Sequence, residues 1–261
     1  METVTHDGRE TAYRLVERSA AGPTVLYVHG SGGTHQVWAH QYGPSGPSHP
    51  AAALDLSGHG ASEDIDTSAG PETLAAYADD VSAVARAVDA EVLVGNSLGG
   101  AVVQRLLLEQ DHQLAGAVLA GTGPRLPVAD TLRTWLAEDF DQAVEWLHGP
   151  DRLFHDVEEE MRERSAETMH AVGRAVTERD FLSCHTFDIR DRVIAIDVPV
   201  LAVVGEHDQL TPPSYHESLT DELPQGEATI LDDAAHLAML DQPGAFNDAV
   251  AAFLDETTRK R

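Results

Sequence analysis

The stretch Val92-Leu93-Val94-Gly95-Asn96-Ser97-Leu98-Gly99-Gly100 constrains the fold of this chain more than any other. An apolar run stops at Gly-Asn-Ser-Leu-Gly, and Ala101, Val102, Val103, Leu106 and Leu107 follow at helical spacing. The pattern predicts a buried strand, a sharp turn and then a helix. Gly95 and Gly99 flank the turn, where the absence of a Cβ lets strand and helix approach each other. Ser97 is expected at the apex on a strained backbone with its hydroxyl exposed. The Leu98 amide is expected at the N-terminus of the helix. Taken alone, a glycine-rich helix start would read the same way, so the surrounding pattern has to decide.

That pattern is a succession of short apolar runs. Residues 2–18 read as a hairpin around His6-Asp7-Gly8. Pro23 to Val28 reads as a buried strand ending in His29-Gly30-Ser31-Gly32-Gly33, and Ala51 to Leu54 as another. Pro71 to about Val88 has helical periodicity, and Leu114 to Ala120 is a further strand. Runs without polar alternation, separated by helices, predict a mostly parallel sheet covered on both faces. Residues 125–186 break this order and read as helices only, with Thr131 to Leu147 and Val157 to Val176 as the main segments. They are expected to form a helical cap inserted after the sixth strand, with residues 1–124 and 187–261 as the α/β core. Trp135, Phe140, Trp146, Met161, Met169 and Phe181 could face a substrate from there, although such stripes also serve a helix layer's own packing. The sheet resumes at Val198 to Val204 and at Ala228 to Leu231, and a helix from Pro243 to about Glu256 closes the described pattern.

In a parallel sheet, reactive groups gather beyond the carboxyl ends of the strands. Four such loops carry candidates: His29-Gly30-Ser31, Ser97, Asp208 and His236. A serine hydroxyl needs an imidazole to accept its proton, and the imidazole needs a carboxylate to fix its tautomer. Asp208 after the seventh strand and His236 after the eighth supply both, in the order Ser, Asp, His. Glu206 lies two residues too early, and Asp232 and Asp233 stand too close to His236 in sequence. Asp55 and His59, in Asp55-Leu56-Ser57-Gly58-His59-Gly60-Ala61-Ser62, read as turn chemistry rather than a catalytic pair.

These stretches together resemble the α/β-hydrolase superfamily over essentially the whole chain. Gly95-Asn96-Ser97-Leu98-Gly99-Gly100 resembles its nucleophile elbow, and His29-Gly30-Ser31-Gly32-Gly33 its oxyanion loop. Gly205-Glu206-His207-Asp208 and Ala235-His236 resemble the loops that bear acid and base. The resemblance implies an α/β-hydrolase fold with an eight-stranded sheet. It also implies Ser97 as nucleophile, His236 as base, Asp208 as acid, and the amides of Ser31 and Leu98 as oxyanion hole. Gly30, Trp135, Phe140 and Leu237 are the expected substrate contacts. A carboxylic ester is the default substrate. Carbon–carbon bond or enol-lactone hydrolysis is the alternative, although Gly33 stands where the carbon–carbon hydrolases usually have Pro, and Leu237 where they usually have Trp. A small-ligand receptor without catalysis is the alternative of another class.

Charge narrows the partners. The chain has 44 Asp and Glu against 17 Lys and Arg, a formal net charge of −27, and Lys260 is the one lysine. Acid spread along the whole length argues against nucleic acid and anionic membrane as partners. It resembles the surfaces of proteins from salt-accumulating halophiles such as halophilic archaea, where molar salt shortens the Debye length to about 3 Å. The one cysteine, Cys184, excludes an intrachain disulfide and a thiolate metal cluster, and no H-E-x-x-H occurs. No G-x-G-x-x-G follows the first strand. No cofactor and no metal are expected. The polar, acidic start lacks the pattern of a signal peptide, and with no long apolar run the expected location is the cytoplasm.

Overall fold

The computed structural model describes residues 1–18, 22–44, 46–109 and 113–259; Lys260 lies outside them. Eight strands form one sheet: β1 (Glu2–His6), β2 (Arg9–Val16), β3 (Val25–Val28), β4 (Ala51–Leu54), β5 (Val92–Asn96), β6 (Gly116–Ala120), β7 (Val200–Gly205) and β8 (Gly226–Leu231). Their spatial order is β1-β2-β4-β3-β5-β6-β7-β8. β2 pairs antiparallel with both β1 and β4, and every pairing from β4 to β8 is parallel. The order reverses at β3, which lies between β4 and β5. The loops leaving β3 and β5 therefore meet at the carboxyl edge, where a crevice opens.

Strand burial explains the unbroken apolar runs. Every residue of β3, β4, β5, β6 and β7 is buried, while the edge strands β1 and β8 are largely open. Successive residues serve opposite faces. Leu26, Val28 and Leu93 pack on one side with Leu74, Tyr77 and Val81 of α2 (Pro71–Ala87) and Val102 of α3 (Leu98–Glu109). Val25, Tyr27, Val92 and Val94 pack on the other with Trp38, Phe246 and Val250. The last two belong to α10 (Pro243–Arg259). Three further helices are α1 (Ala39–Tyr42), α8 (Pro213–Glu222) and α9 (Ala238–Asp241).

Four helices fill the stretch between β6 and β7: α4 (Asp130–Glu138), α5 (Phe140–Leu147), α6 (Glu159–Val172) and α7 (Arg174–Thr186). An antiparallel bridge from Arg125 to Asp188 closes their base. Two of the expected helices are each divided. Asp139 leaves helical geometry at φ −143° and ψ 80°, and its carboxylate accepts the Gln142 amide to start α5. Gly173 takes φ 88°, ends α6 and begins α7. Periodicity alone misses both breaks, because the apolar spacing continues across them. No helix among the described residues is long and apolar enough to cross a membrane.

Candidate active site

Ser97 has φ 54°, one of five non-glycine residues with positive φ among those described. Its amide donates to Ala120 O at 2.9 Å, and its carbonyl accepts from the Ala101 amide and the Thr122 hydroxyl. The turn is thus pinned from β6 and from its own helix. A Cβ on Gly99 would lie 2.4 Å from Val28 O, and one on Gly95 2.4 Å from Gly99 O, so only glycine fits at either flank. Leu98 begins α3 with its side chain in the core.

The loop after β3 lies against this turn. A Cβ on Gly30 would come 3.1 Å from the Ser97 Cβ. His29 fixes the loop from beneath: its Nδ1 donates to Gly30 O at 2.8 Å and its Nε2 accepts the Leu56 amide at 3.0 Å. The second bond needs a neutral ring. Burial, reinforced by the nearby His59, pulls its pKa down to about 4.

Asp208 and His236 leave neighbouring strands, β7 and β8. His236 Nδ1 donates to Asp208 Oδ2 at 2.9 Å. The other carboxylate oxygen accepts the Leu210 and Thr211 amides, both at 2.8 Å, and the Thr211 hydroxyl donates to Oδ2. Burial alone would raise the Asp208 pKa. His236 and the Thr211 donors outweigh it and hold the carboxyl below the usual range. The His236 carbonyl accepts from Asn96 Nδ2 at 3.3 Å, which ties the histidine loop to the residue before Ser97.

Ser97 and His236 both line a cavity of about 650 Å³ at the carboxyl edge of the sheet. Gly30, Ser31 and Leu237 line it too, as do Trp146, Met161, Met169 and Phe181 from the inserted helices. Trp135 and Phe140 are not among its lining residues, which corrects the expected substrate contacts. Trp135 packs against Trp146, with ring centroids 6.2 Å apart, and Phe140 meets His170 edge-on. Both face their own helix layer, the packing role that such a stripe also serves.

Asp55 and His59 do not pair. Asp55 accepts the His35 and Ala61 amides, as turn chemistry requires, and the His35 ring. His59 instead meets Asp180 of α7 at 2.9 Å. Sequence reasoning missed this buried carboxylate. Asp180 also accepts the Tyr77 hydroxyl at 2.7 Å and the Gly32 amide at 3.2 Å. It joins the inserted helices to the loop after β3 across 148 positions, and no local pattern announces it.

The fold also gathers Asp151, His155 and His207, with ligand-type atoms within 4.8 Å, and Glu206, His207 and Asp233 likewise. The His155 and His207 rings stack at 3.8 Å and 12°. Lone pairs in two nearly parallel planes do not converge on one ion. His155 meets Asp151 and His207 meets Glu206, so the cluster reads as two stacked imidazole–carboxylate pairs.

Comparison with known proteins agrees with this architecture. Residues 25–249 match the family described as the alpha/beta hydrolase family. The chain is 27% identical over 248 residues to RutD of Agrobacterium fabrum, whose name assigns it carbamate hydrolysis, covering 90% of this chain and 94% of that one. It is 25% identical to a pimeloyl-[acyl-carrier protein] methyl ester esterase of Pectobacterium atrosepticum, covering 91% and 96%. The solved structure of a thermophilic esterase superposes with a TM-score of 0.85 at 28% identity, covering 98% of this chain and 97% of that one.

Proposed function

The chain belongs to the alpha/beta hydrolase family, and from that premise we propose that it is a serine hydrolase of carboxylic esters. The observation that carries this reading is the buried Asp208–His236 pair, at 2.9 Å, opening on the same cavity that Ser97 lines from a strained turn. Ser97 Oγ attacks the ester carbonyl while His236 Nε2 takes its proton. The carbonyl oxygen becomes an oxyanion held by the amides of Ser31 and Leu98, each lowering the barrier by about 3 kcal/mol. His236 returns the proton to the departing alkoxide, leaving an acyl-serine. Water, activated by the same imidazole, then releases the acid and restores Ser97. Asp208 holds the imidazole in the tautomer with its proton on Nδ1 and stabilises the imidazolium.

The helices between β6 and β7 act as a cap over the acyl group, with Trp146, Met161, Met169 and Phe181 as its apolar contacts. The acidic surface, nearly free of lysine, supports work in molar salt inside a salt-accumulating cell. The test is turnover of short p-nitrophenyl esters and lactones in molar KCl, with Ser97→Ala as control. Hydrolysis by the wild type and its loss in the variant are expected. Tight ligand binding without any turnover would favour a receptor instead.

A further inference from the structure

The cavity has a second charged feature that the ester chemistry leaves unused. None of its lining residues is Asp or Glu, in a chain with 44 of them, while Arg14, His35, His40 and Arg164 all line it. Arg164 is matched by Glu160 at 2.8 Å. Arg14 has no carboxylate within ion-pair distance among the described residues. Its guanidinium carbon instead lies 5.5 Å from the Tyr42 ring centroid. The His35 ring stacks on the same tyrosine, 6.2 Å away at 28°, so both basic groups gather around Tyr42.

His35 is built into place. Asp55 accepts its backbone amide at 2.7 Å and its Nδ1 at 2.9 Å. Asp55 itself is buried, and its second oxygen takes the Ala61 amide. The His35 Nδ1–H is thereby committed to Asp55, and Nε2 has no hydrogen-bond partner among the described residues. This repeats the Asp208–His236 arrangement on another part of the same cavity.

We infer that Arg14, seated over Tyr42 beside His35, forms a subsite for an anionic group of the substrate, so that the preferred ester or lactone carries a second carboxylate. The inference rests on the proposed ester chemistry only for where the reacting carbonyl lies. A carboxylate accepts charge-assisted hydrogen bonds from the Arg14 guanidinium, about twice as strong as those between neutral groups. The overall charge of −27 does not oppose this. At molar salt the Debye length is about 3 Å, so contact-range charges outweigh the field of the whole molecule.

Mono-p-nitrophenyl esters of succinate, glutarate and adipate, compared with p-nitrophenyl butyrate in molar KCl, test this. The ratio of kcat/KM between anionic and neutral ester is read on one enzyme preparation, so it is independent of the folded fraction. The best diacid chain is expected to be favoured about tenfold or more, the effect of one charge-assisted hydrogen bond. Arg14→Gln and Arg14→Ala are each expected to bring the ratio close to one, chiefly through KM. A wild-type ratio of one or less, or variants that keep the preference, overturns the subsite. Calorimetric titration of glutarate into Ser97→Ala gives an answer even if no ester is hydrolysed. Binding weakened about tenfold by adding Arg14→Gln supports the subsite; absent or unaffected binding overturns it.

Discussion

Ser97 occupies a backbone region that a non-glycine residue enters at a cost of about 1–3 kcal/mol, with φ 54°. The surrounding bonds from Ala120, Ala101 and Thr122 hold it there. Strain of this kind is a property of the residue and can be measured. Ser97→Gly is expected to raise stability by about 1 kcal/mol, read by urea unfolding in molar KCl, while removing ester turnover. A variant no more stable than the wild type would contradict the strain. The sequence already announced this position, since Gly95 and Gly99 leave room for only one backbone path. It was silent on Asn96, whose amide reaches the His236 carbonyl from 140 positions away. Of the two acids in the loop after β7, Asp208 meets the His236 ring and Glu206 lies near His207 at 2.9 Å.

Among the elements, α7 does more than cover the sheet. Asp180 is fully buried and collects His59, the Tyr77 hydroxyl and the Gly32 amide. Burial alone would lower the His59 pKa, but the Asp180 charge outweighs it and raises it. The loop proposed to hold the oxyanion is thus anchored to an inserted helix. Asp180→Ala leaves three buried polar groups without an acceptor and is expected to cost about 3–5 kcal/mol. It should also lower kcat more than it raises KM, because Gly32 sits one residue after the Ser31 amide. Unfolding curves and steady-state kinetics in molar KCl check both. Destabilisation with kcat unchanged would show that the loop is held elsewhere. Helical periodicity found this layer but not its two breaks, at Asp139 and Gly173, and it placed Trp135 and Phe140 on the wrong surface. Period tells which residues share a face, not what that face meets.

For the whole molecule, the balance is between a well-filled sheet core and a surface that repels itself. Both sheet faces are packed, yet the formal charge is −27. Much of the stability should therefore depend on screening. Lowering KCl from molar to about 0.1 M lengthens the Debye length from about 3 to 10 Å and restores repulsion between neighbouring carboxylates. The expected result is a fall in Tm, followed by circular dichroism across a KCl series. A Tm that stays constant over that range would remove salt adaptation as the explanation of the acidic surface.

Strand order in sequence and the glycine-flanked serine turn were readable from the chain alone, because each follows from local sterics and from burial periodicity. The fold class followed from them, since unbroken apolar runs separated by helices can only be covered on both faces. Tertiary structure alone decided which groups meet: Asp180 with His59 and Gly32, Asp55 with His35, and Arg14 beside Tyr42. These contacts join residues 20 to 148 positions apart. Sequence spacing carries no distance over such separations; the packing of elements supplies it.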